Sequence, residues 1–191
     1  MTLLLVRHAE PVPQQDPRFE ENERPLSDEG RCQAERLAEQ LAGLRVEAIY
    51  SSPYPRAMQT VEPLAERLRL SPIVVDDLRE RLLSPGPLPE WLHHLERSWT
   101  DLEFHLPGGE SSAAAQERAW HVLGPLADRH RDGVAVVASH GNLIALALQR
   151  LVPAVGFDFW RAMPLPAVYT VEAGGRTSGP GLTPGHTPAR T

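Results

Sequence analysis

Short apolar runs alternate along this chain with longer amphipathic segments, and that alternation is what most constrains the fold. It is the mark of a parallel sheet covered by helices. Residues 3–6 read as the first buried strand, 46–50 as the second, 72–75 as a short third and 134–138 as the most strand-like run. Residues 167–172 read as a last strand, and Pro164 and Pro166 ahead of it suit a sheet edge, where a missing N–H costs least. Between these runs, Ser27 is placed to cap a helix carrying Ala34, Leu37, Ala38 and Leu41 at helical spacing, with Asp28 and Glu29 in its first turn. Pro53 and Pro55 mark the start of a second helix with Met58, Val61, Leu64, Ala65 and Leu68 on one face, and Pro63 inside it is expected to kink it. Ser111 or Ser112 starts a helix reaching about His130, and 141–151 is another.

A segment punctuated by Pro85, Gly86, Pro87 and Pro89 interrupts the alternation. Its Leu88, Trp91, Leu92, Leu95, Trp99 and Leu102 recur at helical spacing, so residues 82–107 are expected to be a helical excursion from the sheet, a lid with Trp91 and Trp99 as its own small core. From 174 to 191, eight of 18 residues are Gly or Pro, which predicts a mobile tail behind a single domain of residues 1–173.

The formal net charge is -6 and no run of like charge stands out, so nucleic acid is not expected as a partner. All 19 basic residues are arginine, which excludes Schiff-base chemistry, a pyridoxal phosphate anchor and a P-loop lysine. Cys32 stands alone, so neither an intrachain disulfide nor a multi-cysteine metal site forms, and it is expected to be inert. The apolar start of the chain is too short for a signal peptide, and no stretch approaches the roughly 20 apolar residues of a membrane span. A cytoplasmic protein without membrane contact is expected.

Three predicted strands end in residues able to bind an anion: Arg7 and His8, Ser51 and Ser52, Ser139 and His140. Ligands of open α/β sheets sit at the carboxyl ends of strands, so these groups are expected to converge, with Arg56 joining them from the following helix. Two histidines and two arginines around one point suit phosphate, which uses the planar arginine fork well. Among such cations a histidine stays neutral near pH 7 and is a nucleophile, so His8 is placed to attack phosphorus. Arg7, Arg56 and His140 then neutralise the equatorial oxygens without a metal. Arg56 has an alternative use, an ion pair with Glu62 or another surface acid.

The leaving alcohol needs a proton, for which Glu80 is the choice over Asp76, Asp77, Glu90 and Glu110, although Arg79 and Arg81 beside it also suit an ordinary ion pair. His93, His94, His105, His121, His130 and His186 read as surface or lid residues, since their spacing repeats no metal pattern. Phe157, Phe159 and Trp160 read as core.

Leu-Val-Arg7-His8-Ala-Glu10, Arg-Pro-Leu-Ser27-Asp-Glu-Gly30, Tyr-Ser51-Ser52-Pro-Tyr-Pro-Arg56-Ala-Met-Gln-Thr60, Leu78-Arg-Glu80, Pro107-Gly-Gly-Glu-Ser111 and Ser139-His140-Gly141 follow one another in this chain. In that order they resemble the histidine phosphatase superfamily, which includes the cofactor-dependent phosphoglycerate mutases. The resemblance, over residues 3 to about 151, implies an α/β fold, a three-layer α/β/α sandwich with a mostly parallel central sheet and an inserted helical lid. It implies a phosphohistidine on His8, a phosphate pocket from Arg7, Arg56 and His140, and acid catalysis by Glu80.

Departures from the family pattern narrow the activity. Ala9-Glu10-Pro11-Val12-Pro13-Gln14-Gln15 replaces the Gly-Glu and Trp-Asn usual in the mutases, and the larger mutase insertions are lacking. The short phosphohistidine-protein phosphatases share the opening motifs but lack the acid and lid. The expectation is a histidine acid-type phosphatase, a metal-independent and cofactor-free phosphomonoesterase acting on a small phosphorylated metabolite, with a homodimer compatible with the sequence. The alternatives are mutase-type transfer through a bisphosphorylated primer and a non-catalytic phosphate-ligand binding protein.

Overall fold

The computed structural model describes residues 1–182. In chain order its elements are β1 (Thr2–Arg7), α1 (Asp28–Leu41), β2 (Val46–Ser51), α2 (Pro55–Leu68), β3 (Ile73–Val74), a 3-10 turn (Asp76–Leu78) and α3 (Trp91–Thr100). Then follow α4 (Ser112–Arg129), β4 (Val134–Ser139), α5 (Gly141–Gln149), α6 (Phe157–Ala162), β5 (Ala167–Glu172) and β6 (Thr177–Ser178). The strands form one sheet in the order β3-β2-β4-β1-β5-β6. The first four in that order run parallel, whereas β5 is antiparallel to β1 and β6 to β5.

The sheet is covered on both faces, which is why β1 and β4 are continuous apolar runs rather than alternating ones. Leu4, Val6, Ile49, Val136 and Ala138 meet Leu37 and Leu41 of α1 and Val61 and Leu64 of α2 on one face. Leu3, Leu5 and Val137 meet Leu123 of α4 and Leu143 and Leu146 of α5 on the other. Each such side chain contributes roughly 1.5–3 kcal/mol on burial, so these two seams hold the three layers together. The Ser27 side chain accepts the Gly30 N–H and caps α1, while Ser111 does the same for α4 at Ala114. The register sets Arg7 beside Ser139 and Ser51 beside Ala138, so β1, β2 and β4 finish side by side.

Several expectations need correction. The excursion's helix begins at Trp91 and not near Leu88, because the three prolines before it lack N–H groups and push their predecessors out of helical backbone. Only Trp99 of the two tryptophans is buried, in the same core as α4 and α5, whereas Trp91 is 49% exposed and packs edge-on to Trp160 of α6. β5 is an inner strand, and β6 forms the sheet edge. The expected tail therefore differs over 174–182: β6 pairs with β5 there and Leu182 packs on the core. The remainder of that tail, with His186, lies outside the described residues.

His130, which reads from sequence as a surface residue, is buried where α4 ends. A carboxylate only accepts, so His130 Nδ1 donates to Glu47 Oε2 at 3.2 Å, while Nε2 shares a hydrogen bond with the Tyr50 hydroxyl at 3.0 Å, fastening α4 to β2. Phe157, Phe159 and Trp160 pack against the core as expected. Among the described residues no helix is long and apolar enough to cross a membrane.

Candidate active site

The carboxyl ends of β1, β2 and β4 gather the predicted residues at one point. The His8 peptide N–H donates to the Ser139 carbonyl at 3.1 Å and so extends the β1–β4 ladder by one residue. The next N–H, of Ala9, donates to Thr60 Oγ1 at 2.9 Å, and that hydroxyl donates to the Arg56 carbonyl at 2.6 Å. Thr60 thereby ties the turn after β1 to the first turn of α2.

The His8 side chain bends back on its own strand end, with Nδ1 2.7 Å from the Ala9 carbonyl oxygen. A carbonyl only accepts, so Nδ1 carries the hydrogen and Nε2 keeps the lone pair. Burial, with Arg56, Arg7 and Arg24 nearby, pushes the imidazole down to about 3, against a weaker opposite pull from the Ala9 bond. His8 is thus neutral, with its lone pair on Nε2. His140 lies beside it, edge-on, with ring centroids 5.3 Å apart. Fully buried, His140 is held well below the ordinary histidine value by desolvation, then by the adjoining His8 and by the Arg56, Arg118 and Arg7 guanidiniums. Its Nε2 is 2.7 Å from Ser52 Oγ and its Nδ1 has no protein partner.

Two buried arginines flank the histidines. Arg56 is 2% exposed, and its guanidinium stands 5.0 Å from the Tyr54 ring centroid. It donates from Nη1 to the Glu21 carbonyl at 2.6 Å and from Nη2 to Glu21 Oε1 at 3.1 Å, so its acidic partner is Glu21 rather than Glu62. Arg7 donates to the carbonyls of Met163 and Pro164, between α6 and β5. The Nε atoms of both arginines are buried without a protein partner. Burial lowers both guanidinium pKa values, while the Glu80 carboxylate opposes this at each and is the largest opposing charge at Arg7. Gly141 is required by close approach: a Cβ there would lie 2.8 Å from Arg7 Nε. The neighbour that needs this glycine is therefore the arginine.

Glu80 follows the 3-10 turn after β3, and its carboxylate meets the start of α5. Oε2 accepts the Asn142 N–H at 3.0 Å, while Oε1 accepts those of Leu143 and Arg81, both at 2.9 Å. This satisfies helix-start donors that no turn of α5 reaches, in the position where the helix dipole favours a negative charge. Of its rivals, Asp76 and Asp77 pair with Arg79, Glu110 pairs with Arg118, and Glu90 is exposed.

Behind Glu80, a set of buried polar groups fixes its loop. Arg118 donates from Nη1 to the carbonyls of Asp77 and Arg79 while its Nε and Nη2 grip both oxygens of Glu110. Arg81 reaches Ser98 Oγ, Ser112 Oγ and the Glu110 carbonyl, which ties the same loop to α3 and α4. Sequence reasoning assigns no part to Arg118, Thr60, Tyr54, Glu21 or Arg24. Tyr54 and Thr60 sit within the motif around Arg56, and Arg24 opens the Arg-Pro-Leu-Ser motif, which is the signal that could have found them.

Residues 3–178 match the protein family described as the histidine phosphatase superfamily, branch 1. Phosphoglycerate mutase-like protein 4 of Arabidopsis thaliana is 31% identical over 141 residues, covering 67% of this chain and 60% of that protein. Phosphoserine phosphatase 1 of Hydrogenobacter thermophilus is 34% identical over 149 residues, covering 72% and 70% of the two chains. The solved structure of a mycobacterial glucosyl-3-phosphoglycerate phosphatase complexed with VO3 superposes with a TM-score of 0.75 at 22% identity, covering 96% of this chain and 99% of that one. That last likeness is one of fold.

Proposed function

The chain belongs to the histidine phosphatase superfamily, and from that membership and the surroundings of His8 we propose that it is a metal-independent phosphomonoesterase acting on a small phosphorylated metabolite through a phosphohistidine. The observation that carries this reading is the bond from His8 Nδ1 to the Ala9 carbonyl, which leaves the Nε2 lone pair free on a neutral ring surrounded by guanidinium groups.

In the first step His8 Nε2 attacks phosphorus in line as the ester P–O bond breaks, and Glu80 delivers a proton to the departing alkoxide. Arg7, Arg56 and His140 donate to the equatorial oxygens, where charge accumulates in a loose transition state. In the second step water attacks the phosphorus, Glu80 takes its proton, and the P–N bond breaks to return neutral His8 with inorganic phosphate. The Ala9 carbonyl keeps Nδ1 protonated throughout and favours the cationic ring while phosphate is attached. The relative named phosphoserine phosphatase 1 favours a small phosphorylated substrate over a protein.

The test is phosphate release from para-nitrophenyl phosphate at about pH 6, near the second ionisation of a phosphate monoester, with a chelator present and His8→Ala beside the wild type. Release that survives the chelator and vanishes in the variant supports the reading, and a panel including phosphoserine and glucosyl-3-phosphoglycerate then identifies the substrate. Phosphoryl transfer between phosphoglycerates that depends on 2,3-bisphosphoglycerate, without release, supports the mutase instead. Binding of phosphate without turnover of any ester supports the non-catalytic reading.

A further inference from the structure

The loop between β1 and α1 places a carboxylate on the proposed phosphate site. Glu21 Oε1 lies 3.1 Å from Arg56 Nη2, and the same carboxylate is gripped by Arg24, whose Nε reaches Oε2 at 2.9 Å and whose Nη2 reaches Oε1 at 2.8 Å. One carboxylate thus bridges two arginines, and both are among the charges that act on His8. The contact is unequal in burial: Arg56 is 2% exposed at its side chain and Glu21 is 52% exposed. An acid at the solvent side is therefore reaching inward to a cation fixed in the pocket wall.

The loop around it is built in two parts. Its neck is closed by the Pro11–Leu26 bridge, by the Val12 N–H on the Pro25 carbonyl, and by Arg24 Nη1 on the Val12 carbonyl at 2.8 Å. The rest is a series of tight turns, Asp16 on Pro13, Phe19 on Asp16 and Glu23 on Glu20. The Glu21 carboxylate and the Glu21 carbonyl, which accepts Arg56 Nη1 at 2.6 Å, both join this outer part to the pocket, so the neck and the carbonyl contact can hold while the carboxylate alone turns away from Arg56.

From this geometry we propose that Glu21 is an intramolecular competitor of the substrate phosphate: its carboxylate occupies Arg56 Nη2 and must be displaced before phosphoryl oxygens take that nitrogen. This rests on the phosphate-site reading of Arg56 given above. A phosphate carrying two negative charges displaces a carboxylate that is half in water and retains a second cation in Arg24. A weakly charged ester displaces it less readily. Glu21 therefore raises the concentration of substrate needed for binding and favours the more highly charged phosphate.

The proposal is tested on the full chain by titrating inorganic phosphate into the wild type and Glu21→Gln by calorimetry, with KM and kcat for para-nitrophenyl phosphate measured alongside. Gln keeps the backbone acceptor of Arg56 Nη1 and removes only the charge. We expect the Kd for phosphate and the KM to fall about five- to tenfold with kcat nearly unchanged, as suits removal of a partly screened competing charge. Loss of a merely structural loop contact has the opposite sign, so unchanged or weaker phosphate binding by Glu21→Gln overturns the proposal. Glu21→Ala is expected to shift Kd in the same direction, with thermal melting to confirm that either variant is folded. Tighter phosphate binding in a chain that turns over no ester refutes the phosphatase reading and leaves this one standing. Full turnover with an unaltered Kd in Glu21→Gln does the reverse.

Discussion

The Glu80 carboxylate accepts the Asn142 peptide N–H at 3.0 Å, which makes the proposed acid also the cap of the helix that begins directly after His140. One side chain thus links the loop after β3 to the strand end bearing the second histidine. Its two duties separate by experiment, because capping acts on folding and proton delivery acts on the leaving group.

Glu80→Gln keeps one oxygen but turns an amide NH2 toward an N–H of α5 or of Arg81. Unfolding free energy is expected to fall by about 1–3 kcal/mol, the usual consequence of a buried donor losing its acceptor. For alkyl phosphates kcat/KM is expected to fall about 10²–10⁴-fold, whereas aryl phosphates, whose phenolates leave without a proton, fall far less. Equal slowing of both ester types removes Glu80 from the role of acid.

His8 sits at about 3 in the folded chain against 6.5 for an ordinary histidine, and His140 is displaced in the same direction. Between these values the unfolded chain binds protons that the native chain refuses, so the stability contributed above pH 6.5 is lost progressively as pH falls toward 3. A tenfold difference in proton affinity between the two states corresponds to about 1.4 kcal/mol, so the displacement of His8 alone amounts to a few kcal/mol. Urea unfolding of the wild type is expected to weaken steeply from neutral to acid pH, and His8→Gln to flatten that slope. Parallel curves for the two proteins refute the assignment.

Gly141→Ala tests the close approach of Arg7. The new Cβ falls 2.8 Å from Arg7 Nε, while helix propensity at this first position of α5 improves by up to about 1 kcal/mol. Thermal stability is therefore expected to change little. Moving the guanidinium by a fraction of an ångström is expected to lower kcat/KM about 10- to 100-fold, the scale on which misplacement affects oriented groups. A fully active Gly141→Ala shows that Arg7 has room to shift without loss.

The strand ends are legible because each is a short apolar run stopped by polar residues, and a parallel sheet forces such ends to one side. Arg7, His8, Ser52 and His140 need nothing more than that rule. Glu21 is not legible, since its contact with Arg56 spans 35 residues and its loop has no periodicity to orient a side chain. β6 escapes because a two-residue strand among glycines carries no alternation, and its pairing with β5 is visible only once β5 is known to run antiparallel to β1. His130 passes for a surface residue on a related ground: its partners Tyr50 and Glu47 lie on β2, and only the packing of α4 against that strand brings them within reach.

Arg118 is expected to act on the reaction through Glu80. It holds the carbonyls of Asp77 and Arg79 at 2.6 and 3.1 Å and is fixed in turn by both oxygens of Glu110 at 2.8 and 2.7 Å. Arg118→Gln releases the loop and leaves Glu110 without its cation, so unfolding free energy is expected to fall by about 1–3 kcal/mol. A structural role alone would lower activity toward alkyl and aryl esters together. If the loop positions the acid, Arg118→Gln slows alkyl esters more than aryl ones, and in a Glu80→Gln background it adds almost nothing for the alkyl ester, since the group it positions has already been removed. Measured kcat/KM for the two single variants and the double variant, each with both ester types, gives the interaction directly. Additive losses for the alkyl ester place Arg118 outside the path to the leaving group.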